Sequence, residues 1–360
     1  MSGVWGNNIK VSIFGESHGN AIGITIDGLP SGIEINLDKV NEEMARRAPG
    51  KSRLSTARSE KDSPEILSGF FEGKTTGTPL CGIIRNGDTR SKDYGKLKDL
   101  MRPGHADYTR NIIYSGFYDY RGGGHFSGRI TAPLVFAGAI CKQILEAEGI
   151  FIGAHVKSIK DIKDKSFDYT DISKEQLLEL KNNELPLLDK SKEEAMRNTI
   201  ITAKSEGNSV GGIIECAIIG IKAGYGDPFF DSVESRLSHL LFSVPAVKGV
   251  EFWLGFDISN LFGSEANDNF YYENNAVKTY TNNNGGILGG ITNGMPIIFK
   301  TAIKPTPSIS KKQSTININT KANEELVIEG RHDPCIVQRA VPVIEAVAAI
   351  GILDLIKGRK

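Results

Sequence analysis

Residues able to do acid–base chemistry on an anion gather at a few loop-like places in this sequence. The densest is Arg121-Gly122-Gly123-Gly124-His125-Phe126-Ser127-Gly128-Arg129. Three consecutive glycines allow positive φ and bring backbone N–H groups close to a ligand, and a helix beginning near Thr131 points its positive end the same way. A purely structural turn gains nothing from two flanking guanidiniums, whereas a phosphate or carboxylate uses their planar donor forks. The stretch reads as an anion cradle. His18 stands in Gly15-Glu16-Ser17-His18-Gly19, His105 in Arg102-Pro103-Gly104-His105-Ala106-Asp107-Tyr108, and Asp333 in Gly330-Arg331-His332-Asp333-Pro334-Cys335. Histidine is the side chain that titrates nearest neutrality, which makes His105 a candidate acid. Arg46, Arg47, Lys51, Arg53, Arg58 and Lys61 fall within sixteen residues, with no acidic residue between Arg46 and Arg58. That composition suits a mobile loop over an anionic ligand.

Other chemistries find less support. No His-x-x-x-His or paired-cysteine spacing occurs, so a metal centre is not expected. Neither the glycine triplet nor the second cluster, Gly285-Gly286-Ile287-Leu288-Gly289-Gly290, fits a dinucleotide fingerprint or a P-loop. Lys plus Arg (43) equals Asp plus Glu (43), so no global field draws the chain to nucleic acid or membrane, and any anion site must be local. Forty of the 360 residues are glycine, above the usual share of about 7 %, which favours a site built on loops. Cys81, Cys141, Cys216 and Cys335 are scattered and read as reduced and cytosolic. The first eight residues lack a signal-peptide pattern, and the longest apolar run, 132–141, falls short of the roughly 20 residues of a membrane span.

Elements must position these residues. Residues 9–14 and 21–27 alternate as strands about the 15–19 turn, predicting an antiparallel hairpin with His18 at its tip. Asn36 caps a helix to about Arg47, stopped by Pro49-Gly50. Short strands follow at 65–71 and 80–85, and the helix from Thr131 to about 148 is apolar nearly all round, which marks it as central. Residues 157–204 read as a charged surface lobe with helices at 173–181 and 191–202. A strand at 210–221, a Gly-Asp-Pro turn and a helix at 231–242 echo the order in 24–53 and point to a weak internal duplication. Residues 260–284 read as a flexible Asn-rich loop, followed by a strand at 296–302 and a last helix at 341–356.

Taken together, the sequence resembles the chorismate synthase family. Gly15-Glu16-Ser17-His18-Gly19 through Asp27-Gly28-Leu29-Pro30, Gly124-His125-Phe126-Ser127-Gly128-Arg129-Ile130-Thr131, and Arg331-His332-Asp333-Pro334-Cys335 through Glu345 are similar to its three signatures. The segment around Arg102 to Tyr108 and Lys304-Pro305-Thr306 are similar to further family segments, in the same order over essentially the whole chain. Two departures stand out: His125-Phe126-Ser127 where many members carry Arg-Ser-Ser, and Pro307 where many carry Ser.

The resemblance implies a single α+β domain, 1–360, with a helical layer between antiparallel β-sheets, assembled as a cytoplasmic homotetramer. It implies 1,4-anti elimination of phosphate from 5-enolpyruvylshikimate 3-phosphate to give chorismate, with reduced FMN (FMNH2) required and no net redox change. By resemblance His18 protonates the departing phosphate, His105 holds or protonates the flavin, and Asp333 relays the substrate's C6 proton taken up by the flavin. Arg47, Arg53, Arg102, Arg129 and Arg331 bind the anions. Flavin contacts fall on His125, Phe126, Ser127, Pro245, Ala246, Gly289, Lys304, Pro305, Thr306, Pro307, Ser308 and Arg331. FAD and NADP belong to the same redox setting, NADP, if bound, at Arg47 and Arg53. Without a dinucleotide fingerprint, an external flavin reductase is the expected source of reduced flavin. Two rivals have distinct marks: a kinase using the glycine loops would hydrolyse ATP with magnesium, and an RNA-binding module would be basic overall and lose binding in salt.

Overall fold

The structure is a computed structural model that describes residues 3–50, 62–87, 98–328, 330 and 332–359. Arg53 and Arg331, and most of the basic stretch, lie outside the described residues. The chain is α+β with two five-stranded antiparallel sheets. The first contains β1 (Lys10–Gly15), β2 (Ala21–Asp27), β3 (Pro64–Ser68) and β4 (Leu80–Arg85), ordered β1-β2-β4-β3, with Val4–Trp5 on the outer edge of β1. The second contains β5 (Phe151–Ile159), β6 (Gly212–Ile219), β7 (Val247–Phe252) and β8 (Ile297–Ile303), ordered β5-β6-β8-β7, with Ile162–Lys163 outside β5.

The helices follow from their sequences. α1 (Leu37–Arg47) starts where the Asn36 side chain accepts the N–H groups of Asp38 and Lys39, and ends on two arginines that suit the negative end of a helix. α2 (Asp107–Ile113) is a short helix that sequence periodicity did not suggest. α3 (Thr131–Ala147), α4 (Lys174–Leu180), α5 (Glu193–Ser205) and α6 (Val233–Ser243) lie close to their predicted limits. α7 (Val337–Gly358) begins four residues earlier than predicted, because Pro342 sits in its second turn instead of opening it.

α3 and α7 pack on one another, α3 also against β2 and β4, and α7 also against β5 and β6. Their crossing is close: a Cβ on Gly138 would stand 2.3 Å from Ala346 Cβ, so only glycine lets the two backbones approach this far. Gly128–Ala147, which is α3 with the turn before it, is long and apolar enough to cross a membrane, but most of it is buried inside the protein, as befits a core helix. One ionic knot interrupts this apolar interior. Glu345 of α7 is fully enclosed and accepts from Arg46 Nη1 and Nη2 at 2.6 and 3.0 Å, from Lys142 Nζ, and from the Ala154 N–H at 3.1 Å. The cations hold its carboxyl below the ordinary range in spite of burial.

Two expectations change. Residues 260–284 are not an open loop: Phe270–Glu273 pairs with Ala276–Thr279, and the Asp268 carboxylate accepts the N–H groups of Asn283 and Asn284. Asparagine-rich composition here serves a network of local hydrogen bonds. The charged segment 157–204 begins inside β5. It is pinned to the second sheet where His155 donates from Nδ1 to Asp164 at 2.9 Å and from Nε2 to Glu215 at 3.0 Å, a geometry that requires the imidazolium.

Candidate active site

The β1–β2 turn and the glycine loop meet. The Ser17 N–H donates to Gly124 O at 3.2 Å, and His125 Nδ1 donates to Gly15 O at 2.9 Å. His18 lies beneath this loop and is only 6 % exposed, with Ser17 Oγ 3.1 Å from its Nδ1. Gly122, at φ +60°, explains the closeness: a Cβ there would stand 2.5 Å from His18 Cε1 and 2.6 Å from Nδ1. The hairpin-tip histidine thus faces inward, against the glycine loop.

Gly122 O in turn accepts from Arg102 Nη2 at 2.9 Å and Arg110 Nη1 at 3.4 Å. Arg102 forks onto Asp107, with Nε at 2.6 Å and Nη2 at 2.8 Å from its carboxylate oxygens. This arginine braces the loop, and Asp107, two residues after His105, supplies its counterion. His105 turns toward the 304–308 segment, with Nε2 2.7 Å from Ser308 Oγ. Burial, then the Arg102 charge, push its pKa down to about 3 against the pull of Asp107, with Lys304 and His332 adding to the depression. The ring is therefore neutral at neutral pH, and an anion placed beside it would draw the value back up.

The arginines form a second strand of the site. Arg47 of α1 donates from Nη1 to Asp62 at 2.5 Å, from Nε to Thr131 Oγ1 at 3.2 Å and from Nη2 to Gly128 O at 3.3 Å. Arg129 donates to the other Asp62 oxygen and, from Nε, to Asn86 Oδ1 at 3.2 Å. Asn86 Nδ2 reaches back to Glu16 O and Gly19 O at 3.0 and 2.9 Å, beside His18. On the other side Arg339 Nε donates to Arg47 O at 3.1 Å, and its Nη1 pairs with Asp333. One connected path thus runs from Asp333 through two arginines, Asp62 and Arg129 to the turn that carries His18. The basic stretch does have acidic partners: Glu43 and Glu345 for Arg46, and Asp62 for Arg47. Sequence reading missed Asp62, Asn86 and Arg339, since local composition carries no mark of a partner brought in by folding.

The remaining candidate residues divide. The Lys304 N–H donates to Ala246 O at 2.9 Å, and Lys304 Nζ donates to Gly104 O at 2.6 Å, so Ala246 and 304–308 stand together beside His105. Ala246 adopts φ +79°, a strained conformation for a residue with a Cβ, and such strain concentrates at functional sites. Thr306 Oγ1 is buried without a partner among the described residues, and burial followed by Lys248 lowers the Lys304 pKa. The Lys304 ammonium and the buried Thr306 hydroxyl fit a phosphate- and hydroxyl-bearing cofactor. Ser127 Oγ caps the turn before α3 by accepting the Arg129 N–H at 3.2 Å, and Phe126 meets Tyr114 edge to face. Gly289 is the exception. Its hairpin sits at the start of α6, where Gly290 O accepts the Val233 N–H at 3.0 Å, while Pro245 and Ala246 follow the end of that helix. The 11 residues of α6 separate them, by about 16 Å at ~1.5 Å per residue.

The family model described as chorismate synthase matches residues 9–356. The chain is 45 % identical over 354 residues to chorismate synthase of Methanobrevibacter smithii, covering 98 % of this chain and 96 % of that protein. It is 44 % identical over 355 residues to chorismate synthase of Thermococcus kodakarensis, covering 99 % and 98 %. A solved structure titled crystal structure of chorismate synthase is 30 % identical and superposes with a TM-score of 0.76 over 98 % of this chain and 92 % of that one. With the family model and the full-length similarity in agreement, the chain belongs to the chorismate synthase family.

Proposed function

We propose that the joined hairpin turn, glycine loop and arginine path form the site at which the chain carries out the reaction of its family. That reaction is the last step of the shikimate pathway: 5-enolpyruvylshikimate 3-phosphate loses phosphate and its C6 proton in a 1,4-anti elimination, giving chorismate. The enzyme is a carbon–oxygen lyase acting on a phosphate ester. Reduced FMN, when bound, supplies an electron-rich ring next to the substrate without net redox change.

His18 donates a ring proton to the departing phosphate, with Ser17 Oγ beside Nδ1 to orient the ring. Arg47 and Arg129, with Arg53 and Arg331, meet the substrate's carboxylates and phosphate, and Arg102 holds the glycine loop over His18. Asp333, aligned by Arg339, accepts a proton at its carboxylate. His105, Lys304, Pro305, Thr306, Pro307 and Ser308, with Pro245 and Ala246 beside them and with His125, Phe126 and Ser127, hold the flavin. The observation that carries this reading is His18 locked beneath Gly122 at one end of a hydrogen-bonded path whose other end is Asp333.

Further features belong to the same proposal. A helical layer lies between the two sheets, supported by α3 touching one sheet and α7 the other. An ancestral duplication is supported by matching connectivity: β1, β2, α1, β3, β4, α3 run in the order of β5, β6, α6, β7, β8, α7, with the same strand order in each sheet. A homotetramer is supported by the distance of Gly289 from the flavin-side residues, which a second copy would remove, and by exposed Phe256, Phe262, Phe270 and Tyr272. Reduced flavin comes from a separate reductase, with any NADP contact at Arg47 and Arg53, and the enzyme works in the cytoplasm, where its four free cysteines stay reduced. An anaerobic assay tests the function. Chorismate should form when reduced FMN is supplied and hardly at all from NADPH with oxidised FMN. No product with reduced FMN would refute the assignment, and steady turnover from NADPH alone would remove the external reductase.

A further inference from the structure

Asp62 lies outside every motif quoted above, just ahead of β3. It is 7 % exposed, and its two carboxylate oxygens face two different arginines, Oδ2 toward Arg47 Nη1 and Oδ1 toward Arg129 Nη1. Both arginines are themselves buried, at 4 % and 6 % exposure. Arg47 also donates to Thr131 Oγ1 and Gly128 O, and Arg129 to Asn86 Oδ1.

We infer that Asp62 is a positioning residue for the substrate, holding Arg47 and Arg129 side by side and charged so that they receive its anionic groups as one pair. The inference rests on the proposed role of these two arginines as the substrate clamp. Two buried guanidiniums repel and lose solvation, and a carboxylate shared between them offsets both costs. The charged groups that face Arg47 come from three elements: Asp62 ahead of β3, Arg129 ahead of α3, and Arg339 on α7. Among these Asp62 alone attracts. Burial first, then Arg339 and Arg129, bring the Arg47 pKa down from 12.5 to about 10, against the pull of Asp62. Without that pull Arg47 gives up its proton at a lower pH, and the clamp weakens as pH rises.

Anaerobic steady-state kinetics with saturating reduced FMN and varied 5-enolpyruvylshikimate 3-phosphate test this. Asp62→Asn should raise KM about 10- to 100-fold with kcat within about threefold, the pattern of lost binding common to ground and transition states. KM should climb further toward about pH 9.5, as a thinning population of charged Arg47 requires. Asp62→Glu, which keeps the charge, should recover most of the affinity and flatten the pH profile. A KM for Asp62→Asn that is unchanged and flat with pH overturns the inference, as does a fall in kcat alone. If Asp62→Asn does not fold, Asp62→Ser, which also removes the charge, decides: a raised KM supports the role and an unchanged one overturns it. Arg47→Lys and Arg129→Lys separate the two layers of argument. If they raise KM and Asp62→Asn does not, only the role of Asp62 fails; if neither lysine variant changes KM, the clamp itself fails.

Discussion

Replacing Gly122 by alanine should disable His18 without touching it chemically. Gly122 holds φ +60°, which costs a residue with a Cβ about 1–2 kcal/mol. The larger effect is steric. The new methyl would stand 2.5 Å from His18 Cε1 and 3.1 Å from Ser17 Oγ, so one partner must move by about 1 Å to restore ordinary contact. The loop is held by Arg102 and Arg110 on Gly122 O, so the imidazole is the part that yields. A displacement of that size at a reacting group costs about 10²-fold in rate. Anaerobic single-turnover measurement of chorismate formation should show that loss, with substrate and FMN affinity largely kept and urea stability lowered by about 1–2 kcal/mol. Gly128→Ala is the control, since an added Cβ there meets nothing within 4 Å. A Gly122→Ala enzyme that turns over at the wild-type rate would refute the placement of His18 at the reacting centre.

Asp333→Asn should keep FMN binding and the contact to Arg339 while kcat falls by about 10²- to 10⁴-fold, because an amide accepts no proton at neutral pH; a near-normal single-turnover rate would take Asp333 out of the mechanism. Glu345→Gln should cost about 3–5 kcal/mol of unfolding free energy near neutrality, since Lys142 and Arg46 lose a buried counterion. The carboxyl pKa is depressed in the fold from 4.5, so the stability it contributes is complete above that value and fades as pH falls through the folded one. The gap between wild type and variant in chemical denaturation should therefore narrow on acidification below the unfolded value, and a gap independent of pH would show that the knot acts by packing alone.

The sequence by itself determined the local elements and the kinds of chemistry on offer. Alternation about 15–19 specified the hairpin, Asn36 specified where α1 begins, and the all-round apolarity of 131–147 marked a core helix, because each depends on neighbours within a few residues. The motifs also named His18, His105 and Asp333 and the glycine loop. Tertiary structure alone decided who partners whom. Composition showed a basic run with no acid between Arg46 and Arg58, whereas folding brings Glu345 to Arg46 across 299 positions, and Asp62 to both Arg47 and Arg129. It also turned His105 from an ordinary titrating side chain into one held neutral, since burial and the approach of Arg102 and Lys304 are properties of space and not of order along the chain. Gly289 makes the same point in reverse. The family resemblance puts it with the flavin contacts, yet the length of α6 holds it away from Pro245 and Ala246 within one chain, because a rigid helix sets a distance that residue type cannot express.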